Sequence, residues 1–357
     1  MPELMLADIV PLIMSLFSFS PYENDRAEIL FAGDAMQHQA QIDAARRPDG
    51  TYDYSECFQS IREYVAAADL AVVNFEASLG GKPYTGYPCF SAPDEYPAAL
   101  TDAGFDVFLL ANNHILDRRD RGLHRTLDRL RHDSITHLGI YHDTADRDSL
   151  CPLIMDVNGF KIGLLNYTYG TNGIAVTGNA VVDYIDHEKI RNDIIAARNG
   201  GAEIVSVCVH WGDEYRLLPN NAQRDLADWL TELDVDMIIG NHPHVVQPME
   251  MRTSRSGRPI LLTYSLGNLI SNMKTTDTRG GAMVTVSLRR NDSGEAYVSS
   301  ARYLTTFTEP PSDGHNFRVV PAEHSTHHHA KAFLINANKI PLSRNVNVKP
   351  DTLFIFR

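Results

Sequence analysis

Cysteine is scarce: 357 residues contain only Cys57, Cys89, Cys151 and Cys208. No two form a C-x-x-C pair, so the spacing gives neither a zinc finger nor a disulfide framework. Cys208 lies within an apolar run and reads as a core residue. Positive charge is also short. Lys and Arg number 32 against 45 Asp and Glu, a net charge of -13. That excludes a surface built for sequence-independent nucleic-acid binding. It still allows a small cationic or metal-lined pocket for an anionic substrate. There is no G-x-x-x-x-G-K-[ST], no G-x-G-x-x-G after a strand and no G-x-S-x-G. The usual nucleotide-cradling loops and the serine nucleophile elbow are therefore missing. No repeat of solenoid period occurs. The apolar segment Ile9 to Ser20 is too short for a membrane span. It ends in small residues like the core of an export signal, yet Glu3 and Asp8 stand where Lys or Arg belong. A degenerate export signal, a misplaced start and a packing helix are all open readings of residues 1–27.

What is present is the composition of a soluble globular protein, 43% hydrophobic and 22% charged. The length allows one large domain or two ordinary ones. Apolar runs end repeatedly in polar residues. Glu28 to Ala32 runs into Gly33-Asp34, with His38 four residues on. Asp69 to Val73 runs into Asn74 and Glu76. Phe105 to Ala111 ends in Asn112-Asn113-His114, with Asp117 beyond. Glu203 to Val209 ends in His210, and Val235 to Gly240 ends in Asn241-His242-Pro243-His244. Each reads as a buried strand. Helical spacing falls at Phe58 to Ala68, Asp117 to His132, Glu188 to Asn199 and residues 221–233. Asn158-Gly159 predicts a hairpin between two apolar runs. Ile135 to Tyr141 and Pro259 to Tyr264 read as further strands. Ala282 to Leu288 and Ala296 to Thr306 read as an antiparallel pair. The domain so outlined covers 28–308. From Glu309 the apolar periodicity fades, and 309–357 reads as an extended C-terminal appendage whose His327-His328-His329 is a solvated loop.

Any one polar strand end is accounted for by a cap or a turn. Five together, sharing one strand end of a parallel sheet, are not. Ligands bind at the carboxyl ends of strands in such sheets. The donors are carboxylate, amide oxygen and imidazole without thiolate, a set suited to Mn, Fe or Zn. There are more of them than one ion needs. Two ions about 3.5–4 Å apart would use them.

The combination Gly33-Asp34, Asn74-x-Glu76, Asn112-Asn113-His114 with Asp117, His210-Trp-Gly-x-Glu214-Tyr215, His242-Pro-His244-Val-x-Gln247 and Ser265-Leu-Gly-Asn268 resembles the CapA family. That family is named for bacterial poly-γ-glutamate capsule synthesis and belongs to the calcineurin-like metallophosphatase superfamily. The resemblance covers roughly residues 28–270. It implies an α/β fold, a four-layer α/β/β/α sandwich of the metallophosphatase type, with a dinuclear site at the strand ends. It implies Asp34 and His244 at the first metal and Asn113, His210 and His242 at the second. Glu76 takes the bridging place. His114 is implied as general acid or charge stabiliser, and Glu214 as an acid or base beside the substrate. Asn74, Asn112, Tyr215 and Asn268 line the site as substrate-binding candidates. The superfamily's first motif, Asp-x-His, here reads Asp34-Ala-Met36; His38, two residues further on, is a candidate substitute donor, and a one-metal or binding-only site stays open beside the dinuclear one.

The function implied is metal-dependent hydrolysis of a phosphoester or related bond in capsule or other cell-envelope polymer synthesis. The substrate would be an anionic polymer or a phosphorylated small molecule. A membrane-associated synthesis complex is the implied partner, and nucleic acid is not. Two alternatives stand beside it: a non-catalytic binding component of a synthesis or export complex, and a cytoplasmic metallophosphatase. The family points to the cell envelope, outside the cytoplasm, while the missing signal pattern keeps the cytoplasm open.

Overall fold

The computed structural model describes residues 26–312, 314–342 and 348–350. The Ile9 to Ser20 segment lies outside them. Two large sheets carry the structure. The first runs, in spatial order, Arg318–Pro321, Ala296–Glu309, Gly280–Arg290, Arg26–Ala35, Leu70–Asn74, Val107–Leu109, Thr136–Leu138. Its last four strands are parallel, and the rest of that path is antiparallel. The second runs Met249–Thr253, Pro259–Thr263, Met237–Asn241, Ile204–His210, Phe160–Thr168, Leu153–Val157. It is parallel in the middle and antiparallel at both edges.

Strand periodicity explains the layering. Successive side chains point to opposite faces of a sheet. In Arg26–Ala35, Ile29 and Phe31 enter the core between the sheets, while Leu30 and Ala32 face helices. In Ile204–His210, Ile204 and Cys208 face the first sheet, while Val205 and Val207 face the opposite way. Helix Arg119–His132 covers the first sheet with Leu123, Leu127 and Leu130. Helices His187–Asn199 and Asn221–Glu232 cover the second with Ile190, Ile194, Leu226 and Leu230. Three apolar layers thus separate four structural layers, helix, sheet, sheet and helix. This is the four-layer sandwich expected.

One expectation needs correction. The five polar strand ends do not share one parallel sheet. Asp34, Asn74 and the Asn112–His114 loop belong to the first sheet, while His210 and His242 belong to the second. The switch comes after Thr136–Leu138, an edge strand. Gly139 has φ 101°, and a Cβ there would meet Asn166 Oδ1 at 2.4 Å and Ala111 N at 2.7 Å. Only glycine fits that close approach. It splits the predicted Ile135 to Tyr141 strand into Thr136–Leu138 and Ile140–Tyr141. The chain then starts the second sheet with the Asn158-Gly159 hairpin, whose turn residues have φ 51° and 80°.

Past Glu309 the chain adds the strand Arg318–Pro321 to the first sheet. Helix Ala330–Leu342 follows and places Ala330, Phe333 and Ala337 in the core between the sheets.

Candidate metal centre

The two sheets bring their strand ends together, and the site is built across the gap. Asp34 sits within Arg26–Ala35, in register with Asn74 on one side and Asn268 on the other. The approach of the 265–268 turn depends on Gly33. A Cβ there would lie 2.0 Å from Gly267 O, and the next backbone N–H, of Asp34, donates to that carbonyl at 2.9 Å. In the second sheet Thr168, His210 and Asn241 are aligned. Beyond Asn241, His242 and His244 adopt φ 99° and 57° around Pro243. Left-handed backbone costs a non-glycine residue about 1–2 kcal/mol. Such strain concentrates at functional sites, and here it accompanies two imidazoles that both reach the buried site.

Three donors converge on the second-sheet side. His210 Nε2 lies 2.9 Å from Asn113 Oδ1 and 3.1 Å from His242 Nδ1. Donors each about 2.1 Å from one ion, at right angles, stand about 3 Å apart, so this is ligand spacing. On the other side His244 Nδ1 lies 3.0 Å from Asp34 Oδ2 and 3.0 Å from Asn268 Oδ1. Glu76 stands between the groups, its Oε1 3.7 Å from His210 Nε2 and 3.8 Å from His244 Nε2. Two triplets are spaced to hold a cation, Glu76 with His242 and His244, and Asp34 with Glu76 and His210. Glu76 is common to both.

The chemistry of Glu76 tests the fit. It is completely buried, yet neither carboxylate oxygen has a hydrogen-bond partner. Asn74 Oδ1 is likewise buried and unpartnered, although Asn74 Nδ2 donates to Asp34 Oδ1 at 2.8 Å. Buried acceptors in native proteins are nearly always satisfied, and a buried charge needs a partner or a metal. A divalent cation supplies what these oxygens lack, so the residues fit the group.

Protonation follows the same pattern. Burial, then the Asp34 carboxylate and then Glu214, push the Glu76 carboxyl well above its ordinary range. Burial and the neighbouring imidazoles hold His210 well below its ordinary value and His242 down to about 3. Neutral imidazole is the ligating form. In the metal-free chain these shifts act oppositely on stability. The depressed His242 contributes stability present above pH 6.5 and lost as pH falls towards about 3. The raised Glu76 contributes stability present below its unfolded value of 4.5 and lost as pH rises. We therefore expect chelated Glu76→Gln to melt above chelated wild type at pH 8. The gap should close as pH falls towards 4.5, where wild-type Glu76 is neutral in the folded chain. Calorimetry across pH checks this; a gap that widens on acidification would contradict it.

The remaining predicted residues take distinct places. His38 caps helix Gln39–Ala45 in a capping box with Gln41. Its Nδ1 lies 3.2 Å from Gln41 Oε1 and accepts from Asn272 N at 3.3 Å. It belongs to neither triplet, and burial lowers it to about 4. Met36, at the position of the motif's histidine, is buried. Asn112 props its own loop, donating to Phe75 O at 2.9 Å and accepting from His114 N at 3.1 Å. Asn268 both meets His244 and donates to Thr278 O at 2.9 Å. Glu214 and Tyr215 are exposed, and the Tyr215 ring lies 6.2 Å from that of His244. His114 is buried and pairs through Nδ1 with Asp117 Oδ2 at 2.9 Å.

Two residues near these groups carry no earlier expectation. Asn172 accepts from Asn113 Nδ2 at 3.2 Å, which fixes that amide's oxygen towards His210. Tyr169 lays its ring 4.7 Å from that of His242 and stacks at 6.4 Å over His210. Both follow Thr168, a sixth strand end beside His210. The sequence signal was available there, a strand running into Tyr-Gly-Thr-Asn-Gly.

Two face-to-face sheets between helices, with carboxylate, amide and imidazole donors at facing strand ends, define an α/β/β/α sandwich of the calcineurin-like metallophosphatase type. More narrowly, the chain belongs to the family described as bacterial capsule synthesis protein PGA_cap, whose profile matches residues 28–273. The PGA biosynthesis protein CapA of Bacillus subtilis (strain 168) is 28% identical over 290 residues, 78% of this chain and 72% of that protein. The capsule biosynthesis protein CapA of Bacillus anthracis is 27% identical over 280 residues, 75% of this chain and 66% of that protein. Among solved structures, the NAD nucleotidase NadN of Haemophilus influenzae aligns with TM-score 0.50 at 14% identity. It covers 91% of this chain, while this chain spans only 64% of it. At that identity the likeness is one of fold.

Proposed function

We propose that this protein is a metal-dependent hydrolase of a phosphoester or related bond, acting in capsule, poly-γ-glutamate or other envelope-polymer synthesis. The observation that carries the reading is Glu76, buried without a partner between two donor groups. In the loaded protein, Asp34 and His244 would serve one ion, Asn113, His210 and His242 the other, and Glu76 both. A pair of Mn, Fe or Zn ions supplies an acidified water and a Lewis acid for the bond under attack. The chain's own residues do the rest. Asn172 orients Asn113, Asn74 orients Asp34, and Asp117 holds the His114 imidazole with Nδ1 as its donor. His114 then handles the leaving-group proton through its other nitrogen. The substrate is an anionic polymer or a phosphorylated precursor, and the site of action is the cell envelope.

A second reading, a binding component of a synthesis complex, draws on the first motif. Met36 offers no hard donor, and His38 turns its Nδ1 to Gln41 and Asn272. Turnover separates the two. Metal-reconstituted protein is incubated with phosphomonoesters, phosphodiesters and γ-glutamyl amides, and product is followed by chromatography. Metal-dependent release from one class supports the hydrolase. No release from any class by protein carrying two ions favours the binding component.

A further inference from the structure

A pocket of about 330 Å³ opens beside the donor residues, lined among others by Tyr169, Ile185, Trp211, Ala222 and Leu226. We propose that it is a binding subsite for a flat, uncharged, apolar ring carried by the molecule whose polar group sits at the metal centre. The inference rests on the reading of that centre as the place where substrate binds.

Three observations carry it. First, the pocket shares a wall with the centre, the Tyr169 ring. Tyr169, 48% exposed, lines it, stacks over His210 and packs tilted against His242. Trp211 lines it and directly follows His210 in sequence. A molecule held at the donors therefore has this cavity on the other side of one aromatic wall.

Second, the indole N–H of Trp211 and the side-chain amide of Gln223, two polar groups that line the pocket, are already engaged. Trp211 Nε1 donates to Tyr264 O at 2.8 Å, so this buried indole presents no free donor to the pocket. Gln223 donates to Gln247 Oε1 at 2.9 Å and accepts from Asn220 N at 3.0 Å. The His187 ring packs 4.4 Å from Trp229. The rest of the lining is mostly aromatic and aliphatic, with Tyr169 open to solvent and Trp211 and Leu226 forming its buried floor, the make-up of a pocket for an apolar group.

Third, the charge has one sign. Among the described residues no Lys or Arg lines the pocket, and its only carboxylate, Asp225, is exposed. A carboxylate-bearing unit such as a γ-glutamyl residue would meet repulsion and no counter-charge. A neutral ring meets neither obstacle, and the aromatic walls favour stacking.

The test uses the full chain loaded with Mn, read by its two tryptophans, Trp211 and Trp229. 1-Naphthyl phosphate should bind at least roughly tenfold tighter than methyl phosphate, whose competition against it gives the second affinity; tenfold is about 1.4 kcal/mol. Ala222→Phe fills the cavity from an exposed helix position and should bring 1-naphthyl phosphate down to the affinity of methyl phosphate. A melting temperature matching wild type shows that the variant is folded. Equal affinities in wild type, or a preference that survives Ala222→Phe, overturns the subsite. 1-Naphthol separates this inference from the hydrolase reading. If neither phosphate binds but 1-naphthol quenches wild type and not Ala222→Phe, the pocket stands and the phosphoester reading falls. No quenching by 1-naphthol overturns the pocket itself.

Discussion

Protein purified without chelator is expected to carry two equivalents of divalent metal, and the His242→Ala/His244→Ala variant none. Elemental mass spectrometry reads both. The expectation follows from how the donors divide. His242 stands with His210 and Asn113, while His244 stands with Asp34 and Asn268. Removing both imidazoles takes one ligand from each group and leaves Glu76 as the shared carboxylate. Single variants should each lose one ion. Because Glu76 is orphaned without metal, loading should also stabilise the fold, by about 4 kcal/mol when free metal exceeds Kd a thousandfold. The double variant should lose that increment, and its melting temperature should no longer respond to chelator. One equivalent in wild type would assign a real loss to Met36 and to the capping role of His38. No metal in either protein would remove the hydrolase reading and leave a binding module.

The second large effect belongs to His114. His114→Ala should lower kcat by roughly 10²–10⁴-fold, the range for loss of a general acid or base, with both ions still bound. His114 lies outside the metal-competent triplets, so metal content should hold. Its geometry is that of an oriented proton carrier. Asp117 Oδ2 takes the Nδ1 side at 2.9 Å and also accepts from Phe90 N at 2.8 Å, while the Phe90 ring stands edge-on 4.6 Å away. A carboxylate so placed fixes the tautomer and the orientation of the ring. Asp117→Asn should lower kcat in the same direction, again with full metal content. Turnover unchanged in His114→Ala, with two ions bound, would make the residue structural.

Much of the fold could be read from the chain. The Asn158-Gly159 hairpin, the Glu188 to Asn199 helix and the buried strands before His210 and His242 lie close to where periodicity and turn chemistry put them. Those signals are local, set by side-chain alternation and by the φ freedom of particular residues. Some site roles were not local and were not read. Asn172 and Tyr169 follow a polar strand end like the other five, but what ties them to the site is contact with Asn113, His210 and His242, far along the chain. His38, which looked like a donor by proximity in sequence, is engaged by Gln41 and Asn272, the latter 234 positions away.

The sequence by itself determined which residue types end the strands, that they are hard donors without thiolate, and that an acidic chain with these motifs belongs with the capsule synthesis proteins. Only the tertiary structure decided that the donors come from two sheets, that Glu76 stands between both donor groups without a partner, and that an aromatic pocket adjoins them. Strand composition fixes what a strand end carries. Which strand ends meet depends on how two twisted sheets stack, and that is settled by the apolar layer between them, formed from residues far apart in the chain.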